Sequence, residues 1–552
     1  MQRRDLIKQL ALAVPGWMLA KQLRAAGSLV PNSPSIAPIK GPFKPTWDSL
    51  SKYQIPAWFR NAKFGMWAHW GPQCEPEDGD WYARYMYVQG SDQYNFHVKK
   101  YGHPSKFGFK DVIHQWTADQ WDPESIVSLY KKTGARYFMA MANHHDNLDL
   151  YNSKYQPNWN STKLGPKKDI IGGWEKAARA NGLPFGVSVH AAHAWSWYET
   201  AQQSDKTGPL AGVPYDGKLT KADGKGQWWE GLDPQELYTQ NHPLSEGWED
   251  ARRLHKQWNW GDGVCEPSKA FIEQFYNRTI DLIDSYNPDL IYFDDTALPF
   301  HPISDAGLRI AAHLYNKSIQ DKGQLEAVIF GKILDELQRQ CMVWDIEKGQ
   351  SNEIEPLAWQ TDTCIGGWHY SREIYDKKRY KSAKTVIHIL SDVVSKNGNL
   401  LLNIPVRGNG SIDEQELAIV EEIGQWMRTY SEAIYDTRPW KVFGEGPAID
   451  DAPPLSRQGF NEKRSKPYTP EDIRFTAKGD LIYAIALAYP ENHQLTIKSM
   501  REGSLYLKKS ISKVSLVGGE ASLKFSVNAE GLHVQLPENR PSLDYTVVLK
   551  IV

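Results

Sequence analysis

The sequence predicts a parallel (β/α)8-like barrel followed by a smaller antiparallel β-sandwich. Apolar, strand-like runs alternate with amphipathic segments of helical spacing over about 400 residues, the pattern of parallel β/α architecture. Polar and aromatic residues gather where those runs end. After about residue 438 short strand-like runs separated by Gly, Pro and Asn replace the helical pattern, which favours an antiparallel sandwich.

The strands of the first region are predicted from short apolar runs. These runs are Lys63–Trp70, Arg136–Asn143, Pro184–His190, Leu290–Asp294, Ala327–Phe330, Met342–Ile346 and Leu400–Ile404. Helices are predicted between them, for example over Pro123–Thr133, Ile170–Asn181 and Lys269–Tyr286. An open sheet would concentrate function at one switch point, usually with a Gly-rich phosphate loop. Polar residues instead follow many of the strands and no such loop occurs, so we favour a barrel.

The second region is predicted to contain only short strands. They are Leu481–Tyr489, Leu505–Leu507, Val514–Val517, Ser522–Val527, Leu532–Leu536 and Tyr545–Ile551. The predicted division of the chain is an export signal at 1–26, a linker at 27–45, the barrel at 46–440 and the sandwich at 441–552.

The first residues have the parts of a bacterial export signal. Arg3 and Arg4 precede an apolar run from Leu10 to Ala20, and small residues follow at 25–27. Paired arginines are typical of the twin-arginine route. The run is too short to span a membrane. We therefore expect an exported protein, periplasmic or extracellular.

Composition narrows the class of partner. The formal net charge is −2, which argues against nucleic acid and anionic membranes. The 22 Trp and 27 Tyr residues supply flat apolar faces that suit sugars, although a large core would also use them. Four cysteines without a CxxC pair indicate neither a zinc site nor a disulfide scaffold, and one incidental disulfide stays open.

Two carboxylates are the candidates for chemistry. Side chains alternate along a strand, so Tyr292 and Asp294 share one face, and an aromatic beside a carboxylate at a barrel mouth suits a sugar-cleaving nucleophile. The alternative is a strand-end Asp that caps the next turn. Glu347 follows a later strand and is the leading candidate for the second carboxylate that a glycosidase needs, with Glu353 and Glu355 as competitors.

Histidines at the strand ends are the candidates for binding. His69, His144 and His145 can donate and accept hydrogen bonds to sugar hydroxyls. A metal site with His190, His193 and Asp146 is the alternative, but the usual metal-binding motifs are missing from the sequence. A structural role for any one of these histidines also stays open.

These residues make the chain resemble the α-L-fucosidases of glycoside hydrolase family twenty-nine over nearly all its length. The matching motifs, in order, are Ala62-Lys63-Phe64-Gly65 with His69-Trp70-Gly71, Asp80-Trp81-Tyr82, Gly134-Ala135-Arg136-Tyr137 with His144-His145-Asp146, Gly165-Pro166-Lys167-Lys168-Asp169, Tyr286-Asn287-Pro288-Asp289 with Phe293-Asp294, Asp392-Val393-Val394-Ser395-Lys396-Asn397-Gly398-Asn399-Leu400-Leu401-Leu402-Asn403, and Tyr435-Asp436-Thr437-Arg438-Pro439-Trp440.

The resemblance implies retaining hydrolysis without a metal or an organic cofactor. Asp294 matches the nucleophile and Glu347 is similar to the general acid/base. The resemblance also assigns residues to the fucose ring, which are His69, Trp81, His144 and His145, with Tyr292 where the family often has Trp.

Three departures from the family lie at the sugar-binding end. Asp80 replaces the usual Glu, and His190 ends the third strand in place of tyrosines. An arginine common after the fifth strand has no clear counterpart near Lys332.

The predicted function is therefore a retaining exo-glycosidase that releases terminal α-L-fucose from an oligosaccharide or glycoconjugate. The alternatives are a related exo-glycosidase with modified-fucose or galactose-like specificity, a non-catalytic sugar-binding homologue and a metal-dependent barrel hydrolase. Neither a cofactor, a nucleic-acid partner nor a membrane span is expected, and the sequence does not predict the oligomeric state.

Overall fold

The computed structural model describes most of the 552-residue chain. The described residues are 35–239, 241–248, 260, 263–456, 459–462, 466–507, 509–519 and 521–552. The predicted export signal lies outside them. None of the described helices is long and apolar enough to cross a bilayer.

Eight parallel strands close into a barrel, as predicted. They are β1 Phe64–Ala68, β2 Phe138–Asn143, β3 Phe185–Val189, β4 Leu290–Thr296, β5 Val328–Lys332, β6 Val343–Glu347, β7 Trp359–Cys364 and β8 Gly398–Asn403. Each strand pairs with the next in chain order, and β8 pairs in parallel with β1, Phe64 lying opposite Leu400. The carboxyl ends of all eight strands therefore open at one end of the barrel.

Most of the described helices cover the outside of the barrel or lie in its loops, and the last one lies in the C-terminal unit. They are α1 Trp47–Leu50, α2 Ala57–Ala62, α3 Tyr82–Tyr85, α4 Asp92–Lys100, α5 Phe109–Gln115, α6 Pro123–Thr133, α7 Ile170–Ala180, α8 Ala194–Trp197, α9 Pro234–Leu237, α10 Lys269–Tyr286, α11 Ala306–Lys322, α12 Gln338–Cys341, α13 Arg372–Asp376, α14 Ala383–Ser395, α15 Glu414–Tyr430 and α16 Pro447–Asp450. Side chains of Asp122, Asp169 and Ser268 cap the first turns of α6, α7 and α10. These caps fix where three of the surrounding helices begin.

The strand β7 was not among the predicted strands. Its sequence, Trp-Gln-Thr-Asp-Thr-Cys, lacks the apolar run of a buried strand, yet all six residues are buried. Inward-facing polar side chains account for this, because Gln360 donates to Asp345 on the neighbouring strand β6 and Asp362 lies at the barrel mouth. Thr361 also donates to the carbonyls of Ile346 and Gly349, so two of the polar side chains of β7 have hydrogen-bond partners within the fold.

Two antiparallel sheets form the C-terminal unit, as predicted. Its strands are β9 Arg438–Glu445, β10 Ile473–Lys478, β11 Leu481–Ala486, β12 Gln494–Ile497, β13 Val514–Leu516, β14 Phe525–Val527, β15 Leu532–Gln535 and β16 Val547–Ile551. The sheet orders are β13-β16-β11-β10-β9 and β12-β15-β14. Residues 505–507, expected to be a strand, form a turn instead. The predicted boundary between 440 and 441 falls inside β9.

Fixed contacts join the two units and hold the first described residues. The buried guanidinium of Arg474 on β10 donates to Asp392 on α14, which also accepts from Lys396. In the segment expected to be a linker, the Ile36 backbone donates to Asn277 and the Phe43 backbone to Asn316. Residues 35–45 therefore pack against α10 and α11 rather than hanging free.

Candidate active site

A pocket opens at the carboxyl ends of the barrel strands. Its lining residues are Trp67, His69, Asp80, Trp81, His144, His190, Tyr292, Asp294, Lys332, Ile333, Glu347, Asp362, Trp368, His369 and Phe460. The pocket is thus built by seven consecutive strands or the loops that follow them, and one residue, Phe460, comes from beyond the barrel.

One lysine joins the two candidate catalytic carboxylates. The Nζ of Lys332, the last residue of β5, lies 2.7 Å from Asp294 Oδ1 and 2.6 Å from Glu347 Oε2. These two oxygens are therefore no more than 5.3 Å apart, the sum of the two distances. Retaining glycosidases separate their carboxyl groups by about 5–5.5 Å, whereas inverting enzymes leave about 6.5–9.5 Å for a water molecule. The lysine holds the pair at a spacing that fits the first class.

Asp294 is prepared as an anion. Burial alone would raise its pKa, but the ammonium of Lys332 and hydrogen bonds from His145 and His190 hold the pKa well below its ordinary value. His145 Nε2 lies 3.2 Å and His190 Nδ1 3.4 Å from Asp294 Oδ2. Neighbouring Asp295 faces the other way and meets His193 at 3.3 Å, as strand alternation predicts.

The carboxylate Glu347 reaches the pocket, and its two sequence competitors do not. Its Oε1 accepts from the indole of Trp368 at 3.0 Å, while Oε2 accepts from Lys332. Glu355 instead accepts from Ser351 and pairs with Arg339, and Glu353 is exposed. Among the three candidates, only Glu347 lies beside Asp294.

Lys332 keeps its charge because acidic groups surround it. Burial alone would lower its pKa, but Asp294, Glu347, Asp362 and Asp345 together raise it well above the ordinary value. Burial and the nearby Glu347 raise the pKa of Asp362 to about 7, and burial and the nearby Asp362 raise the pKa of Asp345 well above its usual range. Lys332 therefore carries the positive charge of this half of the pocket.

Buried imidazoles form the opposite wall. Burial lowers the pKa of His69 and His144 well below the ordinary value and that of His190 to about 4, so the rings are neutral near pH 7. Among the described residues, neither ring nitrogen of His69 has a hydrogen-bond partner. A buried polar group without a partner is costly, and a sugar hydroxyl would satisfy it. The ring nitrogens of His69, His144 and His369 also lie within 4.8 Å of one another, which gives the metal alternative a geometric basis.

Asp80 and Trp81 lie beside the wall of imidazoles and make different contacts. The Asp80 carboxylate accepts from the backbone N–H groups of Trp368 at 3.1 Å and His369 at 2.6 Å. It thereby fixes the loop after β7, and the hydrogen bond of Trp368 to Glu347 depends on that loop. The Trp81 ring lies edge-on to Trp197 at 4.9 Å and lines the pocket.

The structure brings all the sequence-predicted site residues together. Asp80, Trp81, His69, His144, Tyr292, Asp294 and Glu347 line the pocket, and His145 lies behind Asp294. Sequence reasoning did not assign seven lining residues to the site: Trp67, Lys332, Ile333, Asp362, Trp368, His369 and Phe460. Lys332 was noted only as a position where an arginine was missing, yet that position itself was the available signal.

Comparisons with known proteins agree with this geometry. The sequence model of the alpha-L-fucosidase family matches residues 33–432, and that of the alpha-L-fucosidase C-terminal domain matches residues 466–552. The chain is 26% identical to the alpha-L-fucosidase of Branchiostoma floridae, covering 90% of this chain and 92% of that one. It is also 26% identical to the tissue alpha-L-fucosidase of Homo sapiens, covering 91% and 89%.

Solved structures share the fold. The alpha-fucosidase of Thermotoga maritima, solved with a mechanism-based inhibitor, superposes with a TM-score of 0.66 at 24% identity, covering 92% of this chain and all of that one. Alpha-L-fucosidase isoenzyme 1 of Paenibacillus thiaminolyticus gives a TM-score of 0.59 at 18% identity, with 90% and 97% covered.

Proposed function

The chain belongs to the alpha-L-fucosidase family, and on that premise we propose that it releases terminal α-L-fucose from glycans by a retaining mechanism with a covalent glycosyl-enzyme intermediate. The observation that supports this most directly is the bridge from Lys332 to both Asp294 and Glu347, which limits the separation of the two oxygens to 5.3 Å or less. Family twenty-nine is the group of glycosidases whose motifs the sequence shares.

In the first half-reaction Asp294 attacks the anomeric carbon and Glu347 protonates the leaving oxygen. Asp294 suits the attack because its pKa is held well below the ordinary value, so it is an anion at neutral pH. Glu347 needs a proton on one oxygen for its part. Both of its oxygens accept hydrogen bonds in this structure, from Trp368 and Lys332, so one of these donors must move away when the substrate binds.

In the second half-reaction Glu347 removes a proton from a water molecule, which attacks the same anomeric carbon. This step needs Glu347 as an acceptor, the form in which it stands between Trp368 and Lys332. The Asp294 carboxylate then leaves the sugar and regains its contact with Lys332. Two displacements at one carbon return the sugar with its original configuration.

Cleavage of a galactose-like sugar is the second candidate function, and the position of Asp362 supports it. This buried carboxyl lines the pocket, and neither of its oxygens has a hydrogen-bond partner among the described residues. Fucose is a 6-deoxy sugar, whereas the corresponding galactose has a hydroxyl on that carbon that a carboxyl would bind. Comparing kcat/KM for 4-nitrophenyl α-L-fucoside and α-L-galactoside separates the two; a clear preference for the galactoside would replace fucose as the assigned sugar.

Turnover of 4-nitrophenyl α-L-fucoside by three variants tests the mechanism. Asp294→Asn should lower kcat by about 10³-fold or more, because the nucleophile is gone. Glu347→Ala should still form the intermediate, since 4-nitrophenol leaves without protonation, but should hydrolyse it slowly. Azide needs no general base, so it should accelerate this variant and yield fucosyl azide of retained configuration.

Glu353→Ala is the matched control, because Glu353 is exposed and should keep wild-type activity. Full activity in Asp294→Asn would show that the nucleophile is another residue. Binding of fucose by the wild type without any turnover would instead support a sugar-binding protein.

Removal of metal tests the remaining alternative function, a metal-dependent hydrolase. If the imidazoles bind only sugar, prolonged dialysis against EDTA should leave turnover unchanged. Loss of activity that zinc restores would mean that the cluster of His69, His144 and His369 holds a metal needed for hydrolysis.

A further inference from the structure

A second cavity adjoins the catalytic pocket, and we call it the lysine trough. It has a volume of about 840 Å³, in the range of sites that hold small molecules. Its walls come from the end of β6, the loop after β7, the start of α14 and, from the part of the chain that precedes the C-terminal sheets, residues 460, 462 and 466–468. Its basic lining residues include Lys348, Lys381, Lys384 and Lys466.

The lysine trough carries an excess of positive charge. Glu462 is the one carboxylate among its described lining residues, and it pairs with Lys381 at 2.5 Å. Lys466 pairs with Asp451 at 2.8 Å. Lys384 lies exposed in the first turn of α14 and makes no ion pair within the described part of the chain. A cavity lined by more ammonium groups than carboxylates attracts anions.

Phe460 connects the lysine trough to the catalytic pocket. Its side chain is 50% exposed and lines both cavities. A left-handed backbone with φ of 61° is unfavourable for phenylalanine, and a hydrogen bond from its N–H to the Glu347 carbonyl at 2.8 Å holds it there. The backbone of Phe460 is therefore held beside that of Glu347, and both side chains line the catalytic pocket.

The chain direction places the lysine trough on the leaving-group side. Lys348 directly follows Glu347, and its Nζ lies 4.8 Å above the ring of Trp368, which donates to Glu347. The Glu462 backbone in turn donates to the Lys348 carbonyl at 3.0 Å. A sugar attached through the oxygen that Glu347 protonates would pass Phe460 and enter the lysine trough.

We propose that the lysine trough is the subsite for the leaving-group sugar and that it selects a sugar bearing an anionic group, a sulfate ester or a carboxylate. This inference rests on the proposed function, because it uses Glu347 as the residue that protonates the leaving oxygen. Phe460 packs against the apolar face of that sugar, and the ammonium groups bind its anion.

A matched set of three probes tests the preference by isothermal titration calorimetry. The probes are methyl β-D-galactoside, its 6-sulfate and methyl β-D-galacturonide, which differ only at the sixth carbon. At low salt the wild type should bind at least one anionic probe about tenfold more tightly than the neutral one, and the preference should shrink in 0.5 M NaCl because salt screens exposed charges. The tighter anionic probe identifies the group as a sulfate or a carboxylate.

Charge reversal at Lys384 tests the location. Lys384→Glu should reduce the preference for the anionic probe about five- to tenfold. Lys176→Glu makes the same change in net charge on the exposed face of α7 and should leave the preference as in the wild type. Equal affinity for all three probes, no binding of any probe, or equal losses in both variants would overturn the proposal.

The proposed function is measured separately, as turnover of the neutral 4-nitrophenyl α-L-fucoside by the wild type. If the fucoside is cleaved and the anionic preference is absent, the lysine trough proposal fails alone. If the anionic preference is present without cleavage of any fucoside, the hydrolytic assignment fails and the lysine trough is an anion-binding site of another activity, which also overturns its role as a leaving-group subsite.

Discussion

The two halves of the catalytic pocket differ in whether their polar groups have partners before a ligand binds. On the side of β4 to β6, Asp294, Lys332 and Glu347 are charged or hydrogen-bonded to one another before any ligand arrives. On the side of β1 to β3, the His69 ring is buried and neutral, and its nitrogens have no hydrogen-bond partner among the described residues. The carboxylates on the side of β4 to β6 therefore have partners within the protein, whereas His69 on the side of β1 to β3 lacks them.

This difference follows from what each half must do. Groups that react must hold their charge and position in advance, because reorganising them during the reaction would add to the barrier. Groups that recognise a neutral sugar gain most when their hydrogen bonds are made only with the ligand. Under the proposed mechanism, the ion pairs serve the reaction and the unpaired imidazole of His69 serves sugar binding.

Removing the ammonium group of Lys332 should have the largest effect on kcat. Lys332→Met leaves Asp294 and Glu347 close together without their shared ammonium, and we expect kcat to fall about 10²- to 10³-fold. Lys332 holds the pKa of Asp294 down, so its loss raises that pKa. Since the ionised form is the active one, the acidic limb of the pH profile of kcat/KM should move to higher pH.

Lys332→Arg is the control for this prediction because it keeps a cation at the same position. It should recover much of kcat and return the acidic limb toward that of the wild type. Wild-type kcat in Lys332→Met would show that the bridge between the carboxylates is only structural.

A change on the imidazole side should have a smaller effect and a different form. His69→Ala removes a partner of the sugar hydroxyls, so we expect KM for 4-nitrophenyl α-L-fucoside to rise about tenfold with a smaller change in kcat. His69→Gln, which can still donate and accept, should recover part of the loss. A fall in kcat with an unchanged KM would place His69 among the reacting groups and remove the distinction between the two halves.

The sequence predicted that Asp294 and Glu347 would lie in the pocket, but it did not predict the residues that hold them in place. The position of Asp294 in the pocket was predictable because alternation along one strand sets the direction of its side chain, and that rule needs no tertiary information. Trp368 and His369 were not assigned because they reach the pocket through hydrogen bonds to Asp80, which lies 288 residues from Trp368 in the chain. Strand β7 was missed for the same reason: its polar residues are buried only once the barrel closes around them.

The smallest effect is expected for His97, a buried histidine away from the pocket, and it concerns the free energy of unfolding rather than activity. His97 on α4 is buried like His69, but its Nδ1 lies 2.7 Å from the Tyr82 hydroxyl and its Nε2 lies 2.8 Å from the Phe107 carbonyl. Burial lowers its pKa to about 4. The unfolded chain binds a proton near pH 6.5, and the folded chain does so only near pH 4. The free energy of unfolding should therefore fall as the pH drops through this window, by about 2–3 kcal/mol from this residue.

His97→Gln removes the titration and leaves an amide that can still donate and accept. In chemical denaturation at pH 7.5, 6, 5 and 4, its unfolding free energy should decline less with falling pH than that of the wild type. Identical slopes would mean that His97 is not held neutral by the fold. A flatter slope would show that a buried imidazole with both nitrogens bonded stabilises the structure at neutral pH, whereas His69 keeps its nitrogens unpaired for a ligand.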